Sequence, residues 1–137
     1  MIEYRTYTHD DKDAAFWADI GPFATSRDVH KALGGPIFDD ARFEWVIAKE
    51  EGVVIGWGAR VHDAEKKLVT VDWTYVVPEH RRRGIYTGLR ERLLSGTNGT
   101  TVRGTSKNAI IQRLYEREGF AHTGSSGAWK RYERKGV

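Results

Sequence analysis

The sequence predicts one α+β domain in α/β/α layers, with a mixed, mostly antiparallel sheet of six to seven strands and about four helices. Three observations carry this. Residues 43 to 77 read as three successive strands joined by short charged turns, which makes them antiparallel neighbours. Residues 68 to 105 run strand, glycine-containing loop, amphipathic helix and strand, a βαβ unit whose two strands are parallel and whose crossover is right-handed. Residues 107 to 120 form another amphipathic helix with a glycine exit, and two further short strands close the chain.

Composition bounds the reading. The 137 residues, 39% hydrophobic and with five Trp, suit a single domain over 1–137 with a substantial core. No apolar run approaches the roughly 20 residues of a membrane-spanning helix, and MIEYRTYTHDD lacks the layout of a signal peptide, so a cytoplasmic protein without a membrane partner is expected. The chain has no cysteine, which excludes disulfides, a thiolate nucleophile and cysteine-based zinc sites. His9, His30, His80 and His122 have no ligand spacing, so no metal is expected. Net charge is +3, unevenly spread: residues 1–50 hold six Lys/Arg against ten Asp/Glu, and residues 51–137 sixteen against nine. The basic part suits a polyphosphate ligand or nucleic acid, and equally a solvated arginine-rich surface.

In chain order, Ile2 to Thr8 alternates as a strand and His9-Asp10-Asp11 makes a turn. Asp10 or Asp11 caps the next helix, in which Ala14, Ala15, Trp17, Ala18 and Ile20 supply an apolar face until Gly21-Pro22 stops it. Ser26 caps a short helix to Leu33, ended by Gly34-Gly35-Pro36. Strands 43–49 and 53–62 form a hairpin, and Gly56 and Gly58 around Trp57 mark a bulge or a close backbone contact. In strand 68–77, alternation puts Val71, Trp73, Tyr75 and Val77 on one face and Thr70, Asp72, Thr74 and Val76 on the other. Asp72 stands out there, as a carboxylate that is either paired structurally or an acid/base group.

Pro78 ends that strand and releases a basic loop, Arg81-Arg82-Arg83-Gly84, whose free N–H groups precede a helix N-terminus: an anion cradle suited to phosphate. In helix 84–94 the stripe Ile85, Leu89 and Leu93 faces the sheet, while Arg90, Glu91 and Arg92 face solvent. Ser95 to Gly99 stops it, and strand 100–105 follows. In helix 107–118, Ile110, Ile111 and Leu114 form the expected core face, and Asn108 and Tyr115 share another, with Gln112 near it. Gly119 ends this helix in a left-handed conformation. Gly124 to Gly127 is read as a loop between strands 120–123 and 128–134.

This element order and the two motifs resemble the GCN5-related N-acetyltransferase (GNAT) family along nearly the whole chain. The resemblance implies a parallel strand pair splayed at the cofactor site and acetyl-CoA as co-substrate. The family pattern Arg/Gln-x-x-Gly-x-Gly/Ala is matched by Arg81-Arg82-Arg83-Gly84-Ile85, and Tyr86 departs from it in the last, small position. Pyrophosphate can approach only if the Tyr86 ring turns toward the sheet. The implied cofactor-binding set is Val76, Val77, Arg81, Arg82, Arg83, Gly84, Tyr86, Thr87 and Asn108. The implied reaction is direct acyl transfer to an amine, a small amine or a lysine or N-terminal amine of a protein. A backbone N–H near Val76 would polarise the thioester, Tyr115 would be the general acid and Asp72 the first choice of base, ahead of Glu44 and His62. Trp17, Phe23, Trp45, Trp57 and Trp73 are the aromatic residues available to an acceptor pocket, with core packing the expected place of most of them, and acidic residues in the N-terminal part suit a cationic acceptor. The molecule would be a monomer or homodimer. A GNAT-like domain that binds or modifies nucleic acid, or one without catalysis, is the alternative.

Overall fold

The computed structural model describes residues 1–135, apart from the side chain of Asp72. Seven strands form one sheet: β1 (Ile2–Tyr7), β2 (Phe43–Glu50), β3 (Val53–Asp63), β4 (Leu68–Val76), β5 (Thr101–Ser106), β6 (Ala121–Ser126) and β7 (Trp129–Arg134). Their spatial order is β1-β2-β3-β4-β5-β7-β6, antiparallel throughout except for the parallel pair β4 and β5. Helices α1 (Ala14–Ala24) and α2 (Arg27–Leu33) cover one face, and α3 (Ile85–Leu93) and α4 (Ala109–Arg117) the other. The predicted element order and the α/β/α layering are therefore observed.

One feature of β4 overturns its predicted faces. Ala59 of β3 pairs with Trp73, but the next residue, Arg60, pairs with Val71, so Asp72 is the extra residue of a β-bulge. A single inserted residue inverts the alternation. Val69 and Val71 thus share with Val76 the core under α3, whereas Tyr75 belongs to the core under α1, with Trp73 and Val77 packed against it. Parity read from sequence assumes unbroken pairing, and the bulge breaks it.

The helix ends differ for reasons of packing. Asp13 caps α1 by accepting the Phe16 N–H at 3.0 Å, while Asp11 closes its own turn by accepting the Thr8 N–H at 2.7 Å. Pro22 lies inside α1 and does not stop it. A proline removes only its own N–H bond, and one further turn lets Phe23 pack on Trp57 and Tyr75 at ring separations of 5.8 and 6.0 Å. Phe16 takes the buried place, and Trp17 is 50% exposed. Ser26 and Gly34 cap α2 as expected.

The stripe Ile85, Leu89 and Leu93 is fully buried on the sheet. It sits on Gly56 and Gly58: a Cβ on Gly58 would come within 2.6 Å of Leu93 Cδ1, and one on Gly56 within 3.2 Å of Ile85 and Leu89. Arg90 does not face solvent. It is 3% exposed and paired with Glu118 at 2.8 Å, which ties α3 to the end of α4. In the last hairpin the ladder runs on to Ser126 opposite Trp129, so the turn is only Gly127-Ala128. Gly127 adopts φ 60°, and pairing with β7 overrides the loop-like composition of Gly124 to Ser126.

Candidate functional site

Strands β4 and β5 pair only from Leu68–Thr101 to Val71–Gly104, and beyond the bulge they diverge. Val77 donates its N–H to Ile55 O at 2.9 Å, so alternate residues of this end of β4 bond to β3. Val76, one residue earlier, therefore directs its N–H and C=O into the gap beside β5. Arg81 Nε occupies that carbonyl at 3.0 Å. A cleft of about 710 Å³ opens at the gap and reaches both faces of the sheet, from Leu33 of α2 to Thr87 of α3.

The loop into α3 is built for an anion. Arg82 takes φ 67° and Gly84 φ 77°, left-handed values that a glycine adopts without strain. Asp13, Ser26 and Asn108 cap the other three helices through their side chains, whereas the α3 N-terminus has no side-chain cap. Its first amides are thus available to a ligand. Arg81, Arg82, Gly84, Tyr86 and Thr87 all line the cleft. Arg83 does not: it turns to Glu50 at 2.6 Å and to His80 Nδ1 at 2.7 Å. That hydrogen bond holds the Glu50 carboxyl below its usual range. Val77 also lies outside the lining, its N–H spent on β3.

Tyr86 turns away from the loop and packs half-buried against the core under α3. Burial pushes its phenol up to about 12, against the opposing charge of Arg90. Thr74 Oγ1, beside it, is buried without a hydrogen bond of acceptable geometry, so its lowering influence is small next to the burial. Tyr115 is buried, stacked on Tyr132 at 5.1 Å and edge-on to Phe120 at 5.0 Å. The Arg90 guanidinium lies 4.8 Å from its ring centroid. Its hydroxyl rests on the bare Cα of Gly104, where a Cβ would come within 2.6 Å of Tyr115 Cζ.

Burial on α4 departs from the expectation at Ile110 and Tyr115, whereas Ile111 packs half-buried against the core as expected. Tyr115 is its buried residue, while Ile110 is 68% exposed and lines the cleft with Ile111 and Leu114. The helix thus shares Ile111 between core and cleft and leaves Ile110 to the cleft. Asn108 Oδ1 accepts the N–H groups of Ile110 (2.9 Å) and Ile111 (3.3 Å), so its amide NH2 is what remains for a ligand.

The bulge puts the backbone of Asp72 at the gap; its side chain lies outside the described residues. Glu44 is paired with Arg60 at 3.1 Å, and neither it nor His62 lines the cleft. Among the described lining residues there is no carboxylate, and the positively charged side chains are Arg81, Arg82 and Lys107. Of the five aromatics available to an acceptor pocket, Trp73 lines the cleft, Trp45 and Trp57 are core, the fate expected for most of them, and Phe23 and Trp17 lie outside the lining. Trp129, which sequence reasoning missed, lines it instead. Only its place next to a tight turn marks it in the sequence. The described residues contain no group of three metal-ligating side chains and no helix long and apolar enough to cross a membrane.

Residues 41–122 match the family model of the acetyltransferase (GNAT) domain. No curated protein matches the chain. Among solved structures, an acyl-CoA N-acyltransferase from Pseudomonas aeruginosa superposes with a TM-score of 0.80 at 16% identity, over 98% of this chain and 99% of that one. Escherichia coli ElaA gives 0.78 at 14% identity, over 98% and 100%. The ribosomal-protein-S18-alanine N-acetyltransferase of Escherichia coli gives 0.72 at 13% identity, over 98% and 94%. These likenesses establish the fold, and the family match spans more than half of the sequence around the cleft, so the chain belongs to the GNAT family of N-acetyltransferases.

Proposed function

We propose that the protein transfers an acetyl group from acetyl-CoA directly to a primary amine, in the cytoplasm. The observation that carries this reading is the convergence on one cleft of an uncapped α3 N-terminus, the Val76 N–H and Tyr115. The residues fit the co-substrate: Tyr86 is turned away from the loop, and a Cβ built on Gly84 meets nothing within 4 Å.

Acetyl-CoA, when bound, supplies a thioester activated for attack by an amine. The α3 amides and the Arg82 guanidinium hold the diphosphate. The Val76 N–H donates to the oxygen that gains charge during attack, fixed there by the β4 ladder at no cost in reorganisation. Tyr115 donates its proton to the departing thiolate. Reference pKa values of about 10 for a phenol and about 8.5 for a thiol put this transfer near balance. Arg90, its guanidinium 4.8 Å from the ring centroid, helps to hold the ring in place. Asp72 is the proposed base, from its place at the bulge beside the gap.

The test is thermal stabilisation by acetyl-CoA together with release of free thiol when amines are added. Tyr115→Phe is expected to lower turnover about 100-fold while keeping the acetyl-CoA stabilisation. Turnover unchanged in that variant removes Tyr115 as the acid, and no stabilisation at millimolar acetyl-CoA overturns the whole reading.

A further inference from the structure

Where the cleft reaches α2 and β7 its walls differ in chemistry from the phosphate loop. Leu33 and Trp129 meet there, and Trp73 and Ile110 add apolar surface to the same cleft. Trp129 leans from β7 onto the end of α2, since a Cβ on Gly34 would come within 2.7 Å of Trp129 Cζ2. Trp73 is held by the rings of Phe38 at 5.4 Å and Phe43 at 5.5 Å. One charge stands on this wall. Lys107 Nζ lies 5.6 Å from the Trp129 ring centroid and has neither an ion pair nor a hydrogen bond among the described residues.

These facts bear on the acceptor. An ammonium over the Trp129 ring already takes the place that a cationic ligand would use, so a second cation there meets repulsion. No described carboxylate stands with Lys107 to offset it: the lysine has no ion pair among the described residues, and the proposed base Asp72 belongs to the β4 bulge. A lysine held against apolar surface without an anion is matched by a ligand that brings one. We propose that this end of the cleft is the acceptor subsite and takes a free hydrophobic or aromatic α-amino acid, its side chain between Trp73 and Trp129 and its carboxylate on Lys107. This assignment replaces the cationic acceptor expected from the acidic N-terminal residues.

The inference rests on acetyl transfer as proposed above. In that reaction the α-nitrogen forms a bond to the acetyl carbonyl carbon and the carbon–sulfur bond breaks. The ammonium loses two protons, one to solvent through the base and one that restores the Tyr115 hydroxyl after it has protonated the thiolate. The products are an N-acetyl amino acid and CoA.

The experiment uses the full chain and begins with acetyl-CoA-dependent thermal stabilisation. Initial rates are then measured with L-phenylalanine, L-tryptophan, their decarboxylated counterparts phenethylamine and tryptamine, L-lysine and spermidine. The expected kcat/KM is about tenfold higher for each aromatic amino acid than for its decarboxylated amine, with spermidine the poorest substrate. Lys107→Gln should bring that ratio toward one through KM, and Trp129→Ala should weaken L-phenylalanine binding to the free protein by calorimetry. Faster acetylation of spermidine or L-lysine than of L-phenylalanine overturns the inference, as does an unchanged ratio in Lys107→Gln. If acetyl-CoA stabilises the protein but no aromatic amino acid is acetylated, the subsite assignment fails and the acetyl-CoA reading stands. If acetyl-CoA has no effect, both fail.

Discussion

Tyr86 occupies the position where the family pattern has a small residue, and the structure tolerates it by turning the ring under α3 toward Arg90 and Tyr115. That placement has a measurable consequence at high pH. Burial raises the phenol from about 10 in the unfolded chain to about 12 in the folded one. A raised pKa means that the neutral form is favoured by folding, so its contribution is fully present below pH 10 and is lost as pH rises through 12. Denaturant unfolding at increasing pH should show wild-type protein losing on the order of 2–3 kcal/mol more than Tyr86→Phe across that window. Equal losses would mean that the ring is not buried. Arg90 is the complementary case: burial disfavours its charge, but Tyr115, Glu118 and Tyr86 more than offset this and raise its pKa. Arg90→Gln should cost about 3 kcal/mol by leaving Glu118 without its partner. Arg90→Lys should recover little, because Nε and Nη2 bind Glu118 together at 3.3 and 2.8 Å. Recovery of wild-type stability in the lysine variant would show that charge alone suffices.

At the scale of the element, what could be read in advance followed from local chemistry. The Ile85, Leu89 and Leu93 stripe, the Ser26 and Gly34 caps and the Gly119 exit are set within a few residues, and the structure has them all. The misread features depend on partners distant in sequence. Arg90 is buried because Glu118 meets it, and α4 buries Tyr115, not Ile110, where Tyr132 and Phe120 meet it. The faces of β4 invert because β3 skips Asp72, which no periodicity within β4 reveals. Of the site, the loop and the Tyr115 helix were legible as motifs, whereas Trp129 and the disposition of Arg83 required the third dimension. Two glycines separate the local from the tertiary effect. Gly21 lies inside α1 with no tertiary neighbour within 4 Å of a Cβ, but the Cδ of Pro22 crowds a Cβ there, so Gly21→Ala should change stability by no more than about 0.5 kcal/mol. Gly58 lies under α3, and Gly58→Ala should destabilise by about 1–3 kcal/mol because Leu93 and the Trp73 carbonyl leave no room. Urea unfolding should shift to clearly lower midpoint only in Gly58→Ala; an unchanged midpoint in that variant would refute the α3 contact.

For the molecule as a whole, the gap between β4 and β5 joins the two cores and gathers charge of one sign. Every lysine and arginine on the described lining belongs to residues 81–107, while the acidic excess lies in residues 1–50. Such a distribution draws a polyphosphate toward the gap and is screened by salt. The three consecutive arginines then have different fates despite their common sequence context. Arg81 is fastened to the Val76 carbonyl and Arg83 to Glu50, while Arg82 lines the cleft with no ion pair among the described residues. Arg82→Gln should therefore weaken acetyl-CoA binding about tenfold and flatten its dependence on salt. Arg83→Gln should leave both nearly as they are, its loss falling on the exposed pair with Glu50. Calorimetric titrations with acetyl-CoA at low and high salt read the difference directly. If Arg83→Gln proves the more damaging, the phosphate-binding cation is the one now turned toward Glu50, and the loop must rearrange when the ligand enters.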